Sequence, residues 1–182
     1  MSASDIELTA LVVATGDQHA FGQLVERYQT LVRAMLTRMT GNHALADDLA
    51  QDAFIKAYRK IGTFSGKGSF KSWLCRIAYT EFLQAIRKRK AASAAMERFK
   101  VHQEIEERSD NWEQGDAMDL DRALGHLSEV ERTAIVLCFS SGMSHSEVSD
   151  VMDLPLGTVK SHINRGKAKM RTLLEEKEAV KV

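Results

Sequence analysis

Hydrophobic residues recur at helical spacing along most of the chain. Phe21, Leu24, Val25, Tyr28, Leu31, Val32 and Met35 follow the 3.6-residue repeat. Asp17 before them and Gly41-Asn42 after them mark a start and a stop. Residues 5 to 14 make a shorter helical stretch that ends at Gly16-Asp17. A third helix is predicted over about 43 to 60, with Ala46, Leu49, Ala50, Ala53, Phe54 and Ala57 on one side. Residues 62 to 70, GTFSGKGSF, read as a loop, and 71 to 90 as a helix with the stripe Trp73, Leu74, Ile77, Ala78, Phe82 and Ile86. Periodicity fades from about 91 to 118, a stretch whose first part is open to a helical reading. It resumes at Leu120, Leu124 and Leu127. Ser128 and Glu131 then open a helix through Ile135, Val136 and Phe139, which Gly142 ends. The charged tail from Glu175 is expected to fray.

The stretch from Ser144 to Arg171 reads as two short helices joined by a tight turn. Ser144 and Glu147 have capping-box spacing, and Val148, Val151 and Met152 give the first helix an apolar side. Asp153-Leu154-Pro155 breaks the pattern, and Pro155 suits the first turn of a new helix. In that second helix, over 158 to 171, Val159, Ile163 and Met170 share one stripe. Thr158, Ser161, His162, Arg165 and Lys169 fall largely on another. Lys160, Arg165, Lys167, Lys169 and Arg171 are basic, and no acid occurs between 158 and 171. A helix-turn-helix places such a helix in the DNA major groove, where Arg and Lys reach phosphates and guanine edges.

The expected fold class is therefore all-α: two small helical domains, 1–95 and 119–178, joined by a flexible acidic linker at 96–118. The C-terminal one is a helix-turn-helix domain. Lys+Arg and Asp+Glu are equal at 25 each, so total charge names no partner, but its distribution does. Residues 87 to 90 are Arg-Lys-Arg-Lys, the stretch from 158 to 171 is basic, and residues 104 to 121 hold eight acids with Arg108 the only cation. Phosphate would repel that acidic block, so it is read as a tether, able to span at most roughly 80–90 Å when extended. No apolar run approaches the roughly 18 residues of a membrane span. The N-terminus lacks the basic and apolar regions of a signal peptide, and the chain is expected in the cytoplasm without membrane insertion. Cys75 and Cys138 sit in apolar helical patterns and read as small buried hydrophobes. The six histidines are scattered without ligand spacing, so no metal site and no cofactor is expected. No nucleophile with a base, phosphate loop or paired carboxylate stands out, so no enzyme activity is expected.

Two surfaces invite partners. The polar side of the third helix holds Asp48, Gln51, Asp52 and Arg59 with Ile55 in their midst. Acids around one apolar residue suit docking on a basic, partly apolar surface, although a lone exposed isoleucine is also an ordinary surface feature. The loop with Phe64 and Phe70 has the flexibility and aromatic faces to hold an unstacked base, or the two rings pin it to the core; for Phe70 the second reading is preferred. Lys71, Arg76 and the cationic run, interleaved with Trp73 and Tyr79, have the composition of a single-strand-binding surface.

Four segments, GDQHAFGQLVERYQ, ADDLAQDAFIKAYRKI, FKSWLCRIA and DLPLGTVKSHINRGKAKMR, resemble in order and spacing the motifs of extracytoplasmic-function sigma factors of bacterial RNA polymerase. The resemblance covers about residues 15 to 173. It implies that Asp47, Asp48, Gln51, Asp52, Ile55 and Arg59 bind core polymerase at the β′ clamp helices. It implies that Phe64, Ser65, Lys67, Ser69, Lys71, Trp73, Arg76, Tyr79, Thr80, Arg87 and Lys88 melt and read the upstream-ten element, with a flipped base held near Phe64 to Ser69. It implies that residues 122 to 171 dock on the β flap and read the upstream-thirty-five element through Thr158, Lys160, Ser161, His162, Arg165, Lys167 and Lys169. The tether would thread the polymerase channels, and an anti-sigma factor or other regulator is an expected partner. The chain departs from the family pattern at Thr80 and Gln84, where Asn and Asp are usual, and at Ser128-Glu129, Asp153 and His162. Two other readings compete: a DNA-binding regulator that acts without polymerase, and a sigma-like decoy for an anti-sigma factor.

Overall fold

The computed structural model describes residues 3–99 and 118–180, and among them every regular element is helical. The tether at 100–117, with most of its acids, lies outside the described residues. Helix α1 (Asp5–Thr15) starts at a capping box made by Ser4 and Glu7 and ends at left-handed Gly16. Helix α2 (Gln18–Thr40) is capped by Asp17, whose carboxylate accepts from the His19 and Ala20 amides, and is stopped by Gly41 at φ 67°. Helix α3 (His43–Lys60) begins at Asn42 and runs into a short 3₁₀ turn, Ile61–Thr63. Each of these boundaries matches the sequence expectation to within a residue or two, and all but the end of α3 rest on a side-chain cap or a glycine.

Helix α4 (Phe70–Phe99) continues past the cationic run for more than two further turns, so the first part of the 91–118 stretch is helical. Ala91, Ala92, Ala94 and Ala95 favour helix without producing an amphipathic stripe, so propensity carries the helix where periodicity has faded. Helices α5 (Met118–Gly125) and α6 (Glu129–Ile135) follow, and α6 opens on the Ser128–Glu131 capping box. A π-helical turn, Val136–Ser140, extends α6 to Gly142 at φ 60°. Helix α7 (His145–Met152) starts at the Ser144–Glu147 capping box and stops at left-handed Asp153. Asp tolerates this geometry better than most residues. Helix α8 (Leu156–Val180) is longer than the predicted second helix. It also includes the tail expected to fray, since no Gly or Pro follows Gly166.

The buried apolar side chains of α1 to α4 and of α5 to α8 join into one connected core. The two halves therefore pack on each other. The Arg132 guanidinium marks the seam. It donates to the carbonyls of Leu124 at 2.9 Å, Gly125 at 3.0 Å and Leu127 at 3.3 Å, and reaches across to Met39 of α2 at 3.2 Å. Cys75 is buried and its thiol is pushed up to about 12 by desolvation; Cys138 is half-buried.

Candidate polymerase and nucleic-acid interfaces

On α3, the apolar side faces the core, which leaves Asp48, Gln51, Asp52, Ile55 and Arg59 exposed together. Ile55 keeps 43% of its surface in contact with solvent. It borders a cleft of about 420 Å³ lined by Gln18, Phe21, Phe54, Ile55, Tyr58 and Arg59. Phe21 and Tyr58 build the cleft floor edge to face, their ring centres 5.0 Å apart, and the Tyr58 hydroxyl donates to the Gly16 carbonyl at 3.3 Å. Periodicity assigns Phe21 to the core, so its second role as cleft lining was not visible in the sequence. Asp47 is also exposed but pairs with Arg33 of α2 at 2.7 Å.

The loop before α4 divides its two phenylalanines. Phe70 is buried, as expected, and stacks near Tyr28 and Trp73. Phe64 is half-buried, 5.5 Å from the Phe70 ring and 5.7 Å from Trp73. Gly66 and Gly68 take φ of 72° and 81°, which keeps the loop open while Ser65, Lys67 and Ser69 face solvent. Along α4, Arg76, Thr80, Arg87 and Lys88 are exposed on one long stripe. Tyr79 is not on it. Only 8% exposed, it stacks on Phe82 in the core, and burial raises its hydroxyl pKa. The expectation that Tyr79 interleaves with surface cations is corrected. Its spacing from Cys75, Phe82 and Ile86 already places it on the apolar stripe.

In the helix-turn-helix, Val148, Val151 and Met152 of α7 and Val159, Ile163 and Met170 of α8 are all buried. Ser149 holds the turn by donating to the Leu154 carbonyl at 2.5 Å. Gly166 sits where α8 crosses α6: a Cβ there would stand 3.0 Å from Ile135 Cγ1. On the outer side, Lys160, Ser161, Arg165, Lys167 and Lys169 are exposed, and Thr158 and His162 half-buried. The cations among them differ in what holds them. Lys169 donates to the buried Glu131 carboxylate at 2.7 Å, and Arg165 stands 3.9 Å from the same group while its other nitrogen meets His162 Nδ1 at 3.0 Å. Lys169 is the main reason the Glu131 carboxyl lies below the usual carboxylate range. Lys167 covers the ring of Phe139, which is 58% exposed, at 5.6 Å.

A third feature is absent from the sequence reading. The N-terminal ends of α4 and α7 meet. Glu147 Oε2 closes its own capping box with the Ser144 amide at 2.9 Å, while Oε1 accepts from the Ser72 hydroxyl at 2.8 Å. The Ser144 amide and the Ser72 hydroxyl hold the Glu147 carboxyl down to about 2. Lys71 Nζ donates to the carbonyls of Ser141 and Gly142, each at 3.0 Å.

Such a chain, with a polar docking face, a cationic helix behind an aromatic loop and a helix-turn-helix, has the parts of a transcription factor that touches both a protein machine and DNA. The family model for Sigma-70 region 2 matches residues 24–92, and that for Sigma-70 region 4 matches residues 117–170. The chain is 33% identical over 177 residues to the ECF RNA polymerase sigma factor SigW of Bacillus subtilis, across 90% of this chain and 94% of that one. It is 34% identical to the ECF RNA polymerase sigma-E factor of Escherichia coli, across 85% and 86%. Among solved structures, the sigma factor RpoE in complex with the anti-sigma factor NepR from Bartonella quintana is similar with a TM-score of 0.72 and 28% identity, over 85% of this chain and 96% of that one. CnrH in complex with the cytosolic domain of CnrY is similar at 0.70 and 29%, over 94% and 97%. The chain belongs to the extracytoplasmic-function sigma factors. It binds core RNA polymerase and directs it to promoter DNA. Among the described residues, no helix is long and apolar enough to cross a membrane.

Proposed function

We propose that residues 1–95 form the polymerase-binding and upstream-ten domain, 96–118 the linker, and 119–178 the upstream-thirty-five domain. The α3 face around Ile55 docks on the β′ clamp helices, and the second domain docks on the β flap. The 62–69 loop takes a flipped base, assisted by Trp73, and the exposed stripe Arg76, Thr80, Arg87 and Lys88 follows the opened strand. Thr158, Lys160, Ser161, His162 and Arg165 read the upstream-thirty-five element. The chain contributes binding energy and no chemical step, and it works in the cytoplasm. Similarity over 85% of the chain to a sigma factor solved in complex with an anti-sigma factor supports an anti-sigma factor as its partner.

The observation that carries this reading is Ile55, exposed among acids at the rim of an apolar cleft. Burying it against a partner contributes about 1.5–3 kcal/mol. Ile55→Glu is therefore expected to weaken binding of purified core polymerase by about 10- to 100-fold without lowering the melting temperature. Unchanged affinity for core, measured by fluorescence anisotropy, would refute the assignment of this face.

A further inference from the structure

We infer that α1 sets the shape of the base-holding loop, with Tyr28 of α2 as the positioning residue that carries the order of α1 to the aromatic face. The inference rests on the proposed reading of the 62–69 loop as the place of a flipped base. Asp5, in the first turn of α1, divides its carboxylate between two neighbours on α2. Oδ1 accepts from the Arg27 guanidinium and Oδ2 from the Tyr28 hydroxyl. Arg27 also donates to the Ala3 carbonyl at 2.9 Å, so the start of α1 is held at two points. Burial, and after it the bond to Asp5, raise the Tyr28 pKa, which keeps its hydroxyl a donor through the neutral range. The Tyr28 ring then lies 5.5 Å from Phe70. Phe70 is buried, 5.4 Å from Trp73 and 5.5 Å from Phe64, and those two half-buried rings stand 5.7 Å apart. Four rings thus run from a tether on α1 to the surface of the loop.

Helix α1 governs both ends of that loop. Upstream it packs on the 3₁₀ turn Ile61–Thr63, and the Phe64 amide donates to the Ile61 carbonyl of that turn at 3.0 Å. Downstream it reaches Phe70, the first residue of α4, through Tyr28. Between the two ends, left-handed Gly66 and Gly68 give the backbone little stiffness of its own. An aromatic face that is ordered before a base arrives holds it better than one that must be ordered by it, because the ordering entropy is already lost. Tyr28 acts through Phe70, and its effect falls on promoter opening. The other end of α1 has a different neighbour. The Gly16 carbonyl accepts from Tyr58 of the docking cleft, and 11 residues of helix separate it from Asp5 by about 16 Å. Changes at Asp5 and Tyr28 therefore leave binding to core polymerase unaltered.

Three variants test the relay: Tyr28→Phe, Asp5→Ala and the two combined, each in a Trp112→Phe background that leaves Trp73 the sole indole. Tyr28→Phe keeps the ring and leaves Asp5 paired with Arg27, so α1 stays attached. In the free chain, quenching of Trp73 fluorescence by acrylamide is expected to rise in all three. Open complexes are then followed by heparin challenge, on a promoter mapped from the RNA 5′ ends that core polymerase makes with the unsubstituted chain. They should decay on the order of fivefold faster with Tyr28→Phe, less than the tenfold or more of a whole charged hydrogen bond, since the ring remains. Affinity for core polymerase should be unchanged. Once Asp5 is lost the Tyr28 hydroxyl has no tether, so adding Tyr28→Phe to Asp5→Ala should change nothing further. Unaltered Trp73 quenching in Tyr28→Phe, additive effects in the combined variant, or a parallel loss of core binding would overturn the relay. Raised quenching with open complexes as long-lived as before would leave the relay standing and sink the base-holding reading of the loop instead.

Discussion

Helices α4 and α8 are both long and both rich in cations, yet their cations are anchored differently. In α8, Lys169 and Arg165 lean on Glu131, a buried carboxylate of the same half. In α4, Lys71 and Lys90 reach across the seam, to the Ser141 and Gly142 carbonyls and to Glu129. The α8 contacts persist wherever its domain goes. Those of α4 last only while the halves are together. Pairing within a half fixes the outer side of α8, whereas pairing across halves ties α4 to the second half.

The sharpest way to break this comparison is Gly166→Leu. A leucine has no room beside Ile135, and overpacking of this kind costs about 3 kcal/mol. The expected outcome is loss of the upstream-thirty-five contact by footprinting and a lower urea midpoint, with binding to core polymerase through α3 retained. Glu131→Gln is expected to cost less, about 1–2 kcal/mol, since it removes one charge-assisted contact and leaves Lys169 half in water. Its pH dependence is diagnostic. The folded Glu131 carboxyl titrates below its ordinary value of 4.5, so its contribution is fully present above 4.5 and lost as pH falls through the folded value. Urea midpoints taken from pH 7 down to 3 should fall less steeply for the variant below 4.5 than for the unsubstituted chain. The smallest expected effect separates two lysines. Lys160→Ala should lower the slope of log affinity against log salt by about 0.9, the value for one lost phosphate contact. Lys169→Ala should lower it by less, because Glu131 already opposes that charge. Equal slopes for the two variants would erase the distinction drawn within α8.

Much of this architecture is written in local residues. The helix-turn-helix can be read from Ser144, Glu147, Asp153 and Pro155, because caps and turns depend on side chains a few positions apart. The Ile55 face is readable for the same reason, since a helix fixes which positions point together. The far end of α4 is only half readable, since its alanines favour helix but lack an amphipathic stripe. Lys169 illustrates a different limit. Its place on the basic side is evident, but its partner Glu131 stands 38 residues earlier, and only the packing of α6 on α8 brings them together. Glu147 shows the same limit at longer range. The sequence marks it as a cap for α7, and nothing local reveals that its other oxygen belongs to Ser72, 75 residues away. The cleft beside Ile55 was half visible: the isoleucine was out of place in a polar face, while Phe21 looked like ordinary core.

Gly166, seated against Ile135, has a consequence for how such a chain diversifies. Val159, Ile163, Gly166, Lys169 and Met170 fasten α8 to its domain, while Lys160 and Ser161 between them face outward. Replacements at outward positions change stability by only about 0.5 kcal/mol or less. On the proposed reading of α8, a duplicated gene is therefore free to drift at 160 and 161, sampling new operators, while the scaffold beneath is inherited intact.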